Sequence, residues 1–238
     1  EYIRKNSNKT DYKIEILRDG ETLNFDLKKD TVMIKSVSSK IIEREDKKIG
    51  YIYLSIFSNT TASQFKKELD NLQKNGISSL IIDVRENTGG HLTTAVGILS
   101  ELLSSENVIY QIEKNSKKSK FYSLGKKNFE YPIAIIQNGD SASASEMLAI
   151  SLKENLNAII IGETSYGKGT VQELNYLSNG DTYKYTTKKW LSPKGKWIEG
   201  KGIVPDFEVK LNEEYINNST DENDNQLQTA INEILKKM

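Results

Sequence analysis

Three short runs of unbroken apolar character constrain what this chain can fold into: "SSLIIDV" from Ser78, "PIAIIQN" from Pro132 and "AIIIG" from Ala158. Each is too short for a helix and lacks the alternation of a strand with one wet face, so each reads as a strand buried on both sides. Between them lie stretches of helical period. "TASQFKKELDNLQKNG" places Phe65, Leu69 and Leu72 on one face, with Gly76 as the stop, and "HLTTAVGILSELLSSE" and "SASASEMLAISLKEN" read as two further helices. Adding the strand-like "KIGYIYLSIF" and "VIYQIEK", the order strand, helix, strand predicts an α/β domain around a mainly parallel sheet, with functional loops at the strand ends.

The ends of the chain differ from this middle. "YKIEILRDGETLNFDLKKD" alternates on both sides of Asp19-Gly20, the pattern of a β-hairpin with a tight turn, but two strands are too few for a domain. The basic stretch Lys114 to Lys127 reads as a solvated loop or hairpin. From Gly180 the chain turns β-rich, through "DTYKYTTKKWLSP", a turn at "PKGKW" and "GIVPDFEV". A polar tail, "NEEYINNSTDENDNQ", then leads to a short helix, "LQTAINEILKKM", expected to pack either on its own core or on a neighbouring copy in a homo-oligomer.

Composition removes several function classes. At 238 residues the chain can bury a core without disulfides or metal, and with 33 basic against 33 acidic residues it has no global field to attract nucleic acid. It has no cysteine, which excludes thiol catalysis, and a single histidine, His91. No run approaches the ~20 apolar residues of a membrane span, so either the protein is cytoplasmic or an export segment precedes Glu1.

Chemistry concentrates at three strand-to-loop junctions. In "LIIDVRENTGG" a buried strand runs into Asp83, Arg85 and the pair Gly89-Gly90; a turn needing positive φ would explain the pair, and so would an oxyanion site, where a residue without Cβ lets backbone amides approach a ligand oxygen. In "QNGDSASASEM" three serines alternate with alanines at a helix start; capping accounts for one of them, and a nucleophile favoured by the local positive potential accounts for another. The third is "IIIGETSYGKGT". It resembles a phosphate loop, G-x-x-x-x-G-K-[ST], except that Gly169 stands where the metal-binding hydroxyl belongs. A Ser-His-Asp mechanism could use only His91. A Ser-Lys dyad needs no histidine but requires a lysine that burial keeps from holding its charge, and Lys168, between two glycines after an apolar strand, is better placed for that than the lysines of the charged segments.

The ordered set "IIDVRENTGG", "NGDSASASEM", "GETSYGKGTVQ" and "IEGKGIVPD" resembles the C-terminal processing peptidases, or tail-specific proteases, a family of Ser-Lys endopeptidases. The resemblance implies a crotonase-like core with a mixed sheet and flanking helices over residues 29–211, a C-terminal remnant of a PDZ domain over 1–28, and the polar tail and helix over 212–238. It implies Ser143 as nucleophile, Lys168 as base, Gln172 as the residue orienting the lysine, and the backbone amides of Gly89 and Ala144 as oxyanion hole, with no metal or cofactor. The implied partners are protein or peptide substrates with small or aliphatic C-terminal residues, and the implied location is extracytoplasmic, with export and anchoring sequence upstream. Two other readings stand beside it: an inactive peptide-binding scaffold on the same fold, and a nucleotide-binding protein using the "GETSYGKGT" loop.

Overall fold

The computed structural model describes residues 6, 8–30 and 34–238, arranged as two compact units that divide between Ile34 and Lys35. Residues 1–5, 7 and 31–33, which the sequence shares between the hairpin segment and the start of the core, lie outside the described residues. In the first unit, β1 (Asp11–Arg18) pairs antiparallel with β2 (Glu21–Lys28). Asp19 and Gly20 both take positive φ, 53° and 83°. Two successive residues of that kind form the turn whose twist matches the strands it joins, which is why the Asp-Gly pair sits there.

The second unit is built on a six-stranded sheet. Its strands are β3 (Val37–Arg44), β4 (Lys47–Leu54), β5 (Ser79–Asp83), β8 (Ile133–Gln137), β9 (Ile159–Gly162) and β12 (Phe207–Glu208), ordered β12-β9-β8-β5-β4-β3. All run parallel except β3, which is the antiparallel partner of β4. The three apolar runs of the sequence occupy its centre and are buried on both faces. On one side Ile52, Leu80, Ile82, Ile135 and Ile160 meet α1 (Thr61–Lys74), α2 (Leu92–Leu102) and α3 (Ala144–Leu156). On the other, Ile49, Ile81, Ala134, Ile136, Ile159 and Ile161 meet Leu227, Ala230, Ile231 and Ile234 of the C-terminal helix α5 (Asn225–Leu235), which follows the single-turn α4 (Glu213–Asn217). The final helix therefore packs on its own sheet.

A second sheet of four antiparallel strands stands beside the first: β6 (Val108–Lys114), β7 (Lys117–Tyr122), β10 (Thr170–Tyr176) and β11 (Thr182–Leu191), in the order β10-β11-β6-β7. The basic stretch thus forms the β6–β7 hairpin, turned at Asn115 and Ser116 with positive φ at both. The strand β10 was not separable from the loop before it in the sequence. It leaves the Lys168 segment directly, where a phosphate loop would be followed by a helix.

Candidate active site

The C-terminal ends of the adjacent parallel strands β5, β8 and β9 bring three loops together: 84–91, 138–143 and 163–169. This is where an open parallel sheet presents its binding crevice. The three chemical junctions of the sequence are these three loops.

The serines separate by their hydrogen bonds. Ser141 Oγ donates to the Val84 carbonyl at 2.8 Å and accepts from the Asn138 amide at 3.0 Å, and Ser145 Oγ donates to the Asn87 carbonyl at 2.7 Å. Both are fully buried and serve as struts between loops. Ser143 is half-buried; its Oγ accepts from the Glu146 amide in a capping box, and among the described residues it donates to none. Its backbone sits at φ 56°, ψ −108° immediately before α3. A residue with a Cβ is strained there, by roughly 1–3 kcal/mol, and such a conformation persists only where the surroundings over-determine it.

Those surroundings are specific. Glu146, one turn into α3 and wholly buried, accepts from the Ser143 amide at 2.7 Å and the Lys168 amide at 2.9 Å on one carboxylate oxygen. Its other oxygen accepts from the Gly167 amide and the Ser165 hydroxyl, both at 2.6 Å. One side chain thus fixes the serine corner and the lysine loop to each other. From below, Asn87, also wholly buried, holds the corner through its carbonyl, which accepts from the Ala142 amide at 3.1 Å as well as from Ser145. Its side chain bridges the Leu54 carbonyl and the Gly89 amide. Gly89, at φ 98°, lies so close that a Cβ there would meet the Ala142 carbonyl at 2.7 Å and the Ser143 Cβ at 3.0 Å. Glycine is required at this position for space as well as conformation.

The lysine loop is pinned from its other side by the "IEGKGIVPD" segment and by both tryptophans. Trp190 Nε1 donates to the Lys168 carbonyl at 2.7 Å, Trp197 Nε1 donates to the Gly169 carbonyl at 3.0 Å, and the Gly169 amide donates to Glu199 at 2.6 Å. A Cβ on Gly202 would lie 2.1 Å from the Ser165 carbonyl, so the two glycine-rich motifs interlock. The amides of Gly167, Lys168 and Gly169 are all engaged by carboxylates. A phosphate loop needs those amides free. Lys168 itself is half-buried, less than its setting between glycines suggested, and among the described residues its ammonium has no carboxylate within ion-pair distance.

The expected site residues therefore separate. Ser143, Lys168, Gly89 and Ala144 are brought to one place. The Ala144 amide has no partner among the described residues, whereas the Gly89 amide donates to Asn87 Oδ1 at 2.9 Å, so it is not a free donor in this structure. Gly90 pairs with Phe57 through its neighbours, the Gly89 carbonyl and the His91 amide, which leaves the Gly90 amide facing the other way and unpartnered among the described residues. Gln172 lies exposed on β10 beside a bulge and makes no hydrogen bond to Lys168. An extended chain advances ~3.3 Å per residue, so a separation that would stack two side chains on a helix spreads them along a strand. His91 is exposed at the start of α2. Sequence reading did not single out Asn87 or Glu146; the Ser-x-x-Glu spacing of a capping box was the available signal for the second.

A buried ionic cluster stands at the root of the 84–91 loop. Arg85 donates to both oxygens of Asp83, at 2.6–3.1 Å, and to both oxygens of Asp224, at 3.1 and 2.7 Å. Burial disfavours the Arg85 cation, but the two carboxylates more than offset that and raise its pKa above the ordinary guanidinium value. Tyr51 donates to Asp83 at 2.7 Å; its burial, reinforced by the Asp83 charge, raises the phenol above its usual range.

Residues 48–209 match the family model described as Peptidase family S41. Among curated relatives, the carboxy-terminal processing protease CtpB of Bacillus subtilis is 38% identical over 200 residues, covering 83% of this chain and 42% of that protein. CtpA of the same organism is 35% identical over 204 residues, covering 85% and 43%. The chain thus spans less than half the length of these relatives. Among solved structures, a photosystem II D1 C-terminal processing protease superposes with a TM-score of 0.69 at 25% identity, over 85% of this chain and 56% of that one. A lipoprotein from Streptococcus agalactiae shares the fold, with a TM-score of 0.68 at 22% identity over 86% and 71%. The interlocked loops lie within the matched span, and the chain belongs to peptidase family S41.

Proposed function

We propose that the chain is the catalytic part of a serine endopeptidase that cleaves protein substrates near their C-termini, with Ser143 as nucleophile and Lys168 as base. The observation that carries this reading is the contrast among the three serines: two hydroxyls donate to main-chain carbonyls, while the one on the strained corner accepts only the Glu146 amide and keeps its proton free to give up. In the first step Lys168 takes the Ser143 proton as Oγ attacks the scissile carbonyl. The developing oxyanion receives the Ala144 amide together with an amide of the glycine pair, Gly90 as the structure stands or Gly89 if Asn87 releases it. The protonated Lys168 returns its proton to the leaving amine, and water then hydrolyses the acyl-enzyme by the same relay. We assign Gln172 the role of steadying the lysine amine when substrate covers the site. No group in this scheme requires a metal or cofactor.

Substrate is proposed to bind as an extended strand, since the sheet that continues from the lysine loop ends at β10, an edge with no partner strand among the described residues. The uncharged "SASAS" corner fits small or aliphatic side chains near the cut. The hairpin of the first unit is proposed to be the end of a PDZ domain, and an extracytoplasmic location accompanies that reading. Among the described residues no helix is long and apolar enough to cross a membrane.

The test is digestion of an unstructured protein, with products identified by mass spectrometry. Wild type should cut near C-termini beside small or aliphatic residues, and Ser143→Ala should not cut. Equal cleavage by both proteins, or cuts dominated by Lys, Arg or Asp at the scissile position, would overturn the proposal.

A further inference from the structure

We infer that Asp224, at the start of the C-terminal helix, is a positioning residue for the reaction: through Arg85 it fixes the loop that carries Asn87 and Gly89 beneath the nucleophile. The inference rests on the peptidase reading above. Its structural basis is a contact between positions 139 residues apart in the chain.

Arg85 is 8% exposed, and its guanidinium is fully subscribed. Nε donates to Asp83, one terminal nitrogen to Asp224 and Gln226, and the other to Asp83 and Asp224. Those are the five N–H groups an arginine has. Asp83 comes from the end of β5, two residues away, and cannot by itself fix the arginine against the rest of the fold. Asp224 and Gln226 come from the other end of the sequence and do so. Gln226 is anchored in turn by donating to the Val209 carbonyl at 2.6 Å, and Asp224 also accepts from the Leu227 amide at 2.9 Å, capping α5.

Beyond Arg85 the loop has little slack before it reaches the nucleophile. Glu86 takes positive φ, 59°, with its amide on Asn138, and Asn87 then holds the Ala142 amide, the Ser145 hydroxyl and the Gly89 amide. A shift at Arg85 is therefore delivered to the oxyanion side of the serine corner. The helix itself is held by a separate means, the burial of Leu227, Ala230, Ile231 and Ile234 against the sheet. Docking and positioning can be perturbed independently.

The experiment compares Asp224→Asn with Ile231→Ala in the full chain, measuring kcat, KM, melting temperature and amide hydrogen exchange of the 84–91 segment. Asparagine keeps the size and the helix cap but removes the charge that Arg85 faces, whereas alanine at 231 weakens helix docking without touching the cluster. In Asp224→Asn we expect kcat to fall by about 10- to 100-fold with KM within about twofold, the scale of a misplaced catalytic geometry, and exchange at 84–91 to quicken. Ile231→Ala should lower the melting temperature with kcat preserved. If the two variants lose activity only in proportion to their melting temperatures, or if exchange at 84–91 is unchanged in Asp224→Asn, the inference is overturned. If wild type cleaves nothing, the peptidase reading fails, and the exchange measurement still decides whether Asp224 governs the loop.

Discussion

Replacing Glu146 by Gln should uncouple the serine corner from the lysine loop, and the cost can be worked from the structure. The carboxylate accepts four hydrogen bonds, two on each oxygen, from Ser143, Lys168, Gly167 and Ser165. Glutamine presents one oxygen and one NH2 group, so two of the four donors meet another donor whichever way the amide is turned. At about 1.5–3 kcal/mol for each hydrogen bond to a charged group, the direct loss is about 3–6 kcal/mol. Relief of the buried carboxylate's desolvation offsets part of this and leaves a destabilisation of about 2–4 kcal/mol. Urea unfolding followed by tryptophan fluorescence is well suited to the measurement, because both tryptophans of the chain donate to the carbonyls of Lys168 and Gly169. The native spectrum of Glu146→Gln should shift as the loop loosens, and proteolysis should be lost even where the protein is fully folded. Stability within about 0.5 kcal/mol of wild type with an unchanged native spectrum would refute the reasoning, since it would mean that the four bonds contribute nothing net.

Further outcomes follow from the same geometry. Ser143→Gly should be inactive yet more stable, by about 1 kcal/mol, because glycine takes φ 56° without strain; thermal denaturation reads this directly. Gly89→Ala should abolish cleavage, since its methyl would lie 2.7 Å from the Ala142 carbonyl and force the serine corner to move; a peptide assay at saturating substrate checks it. The Tyr51 phenol keeps its proton in the fold to higher pH than in the unfolded chain, so its contribution is present below pH ~10 and is lost as pH rises beyond that. Tyr51→Phe should accordingly flatten part of the alkaline decline in stability, followed by urea midpoints from pH 8 to 11.

The fold was legible where local pattern and burial coincide. "LIIDV", "IAIIQ" and "AIIIG" read as two-sided strands, and the helix with Phe65, Leu69 and Leu72 declared its period, whereas the helix after "SASAS" is buried throughout from Ala144 to Leu152 and has no such face. The Asp19-Gly20 turn was legible because Asp-Gly is one of the pairs that most readily take two positive φ values in succession, a signal that the turn at Glu45-Asp46 lacks. The segment after Lys168 was not, because a strand on the edge of a second sheet carries neither an unbroken apolar run nor a strong alternation. For the site, the types and order of Ser143, Lys168 and the glycine pair were visible in the chain. The groups that hold them were not. Asn87 and Glu146 are ordinary polar residues until folding buries them, and the pairing of Arg85 with Asp224 joins positions 139 residues apart, beyond any local signal. Gln172 came from the family resemblance alone: the chain between it and Lys168 is extended and bulged, so no local pattern brings the two side chains together.

The central claim is that Ser143, and neither of its neighbours, is made nucleophilic by Lys168. The most direct measurement is the position of the acyl group after brief reaction with an activated ester, found by acid quench and peptide mass mapping across "SASAS" in wild type and in Lys168→Arg. The guanidinium cannot accept a proton near neutral pH, so the variant removes the base while keeping a long basic side chain at the position. The account predicts a single adduct on Ser143 in wild type and none above background in Lys168→Arg. An adduct on Ser141 or Ser145, or labelling of Ser143 that proceeds equally well with arginine at 168, would contradict it.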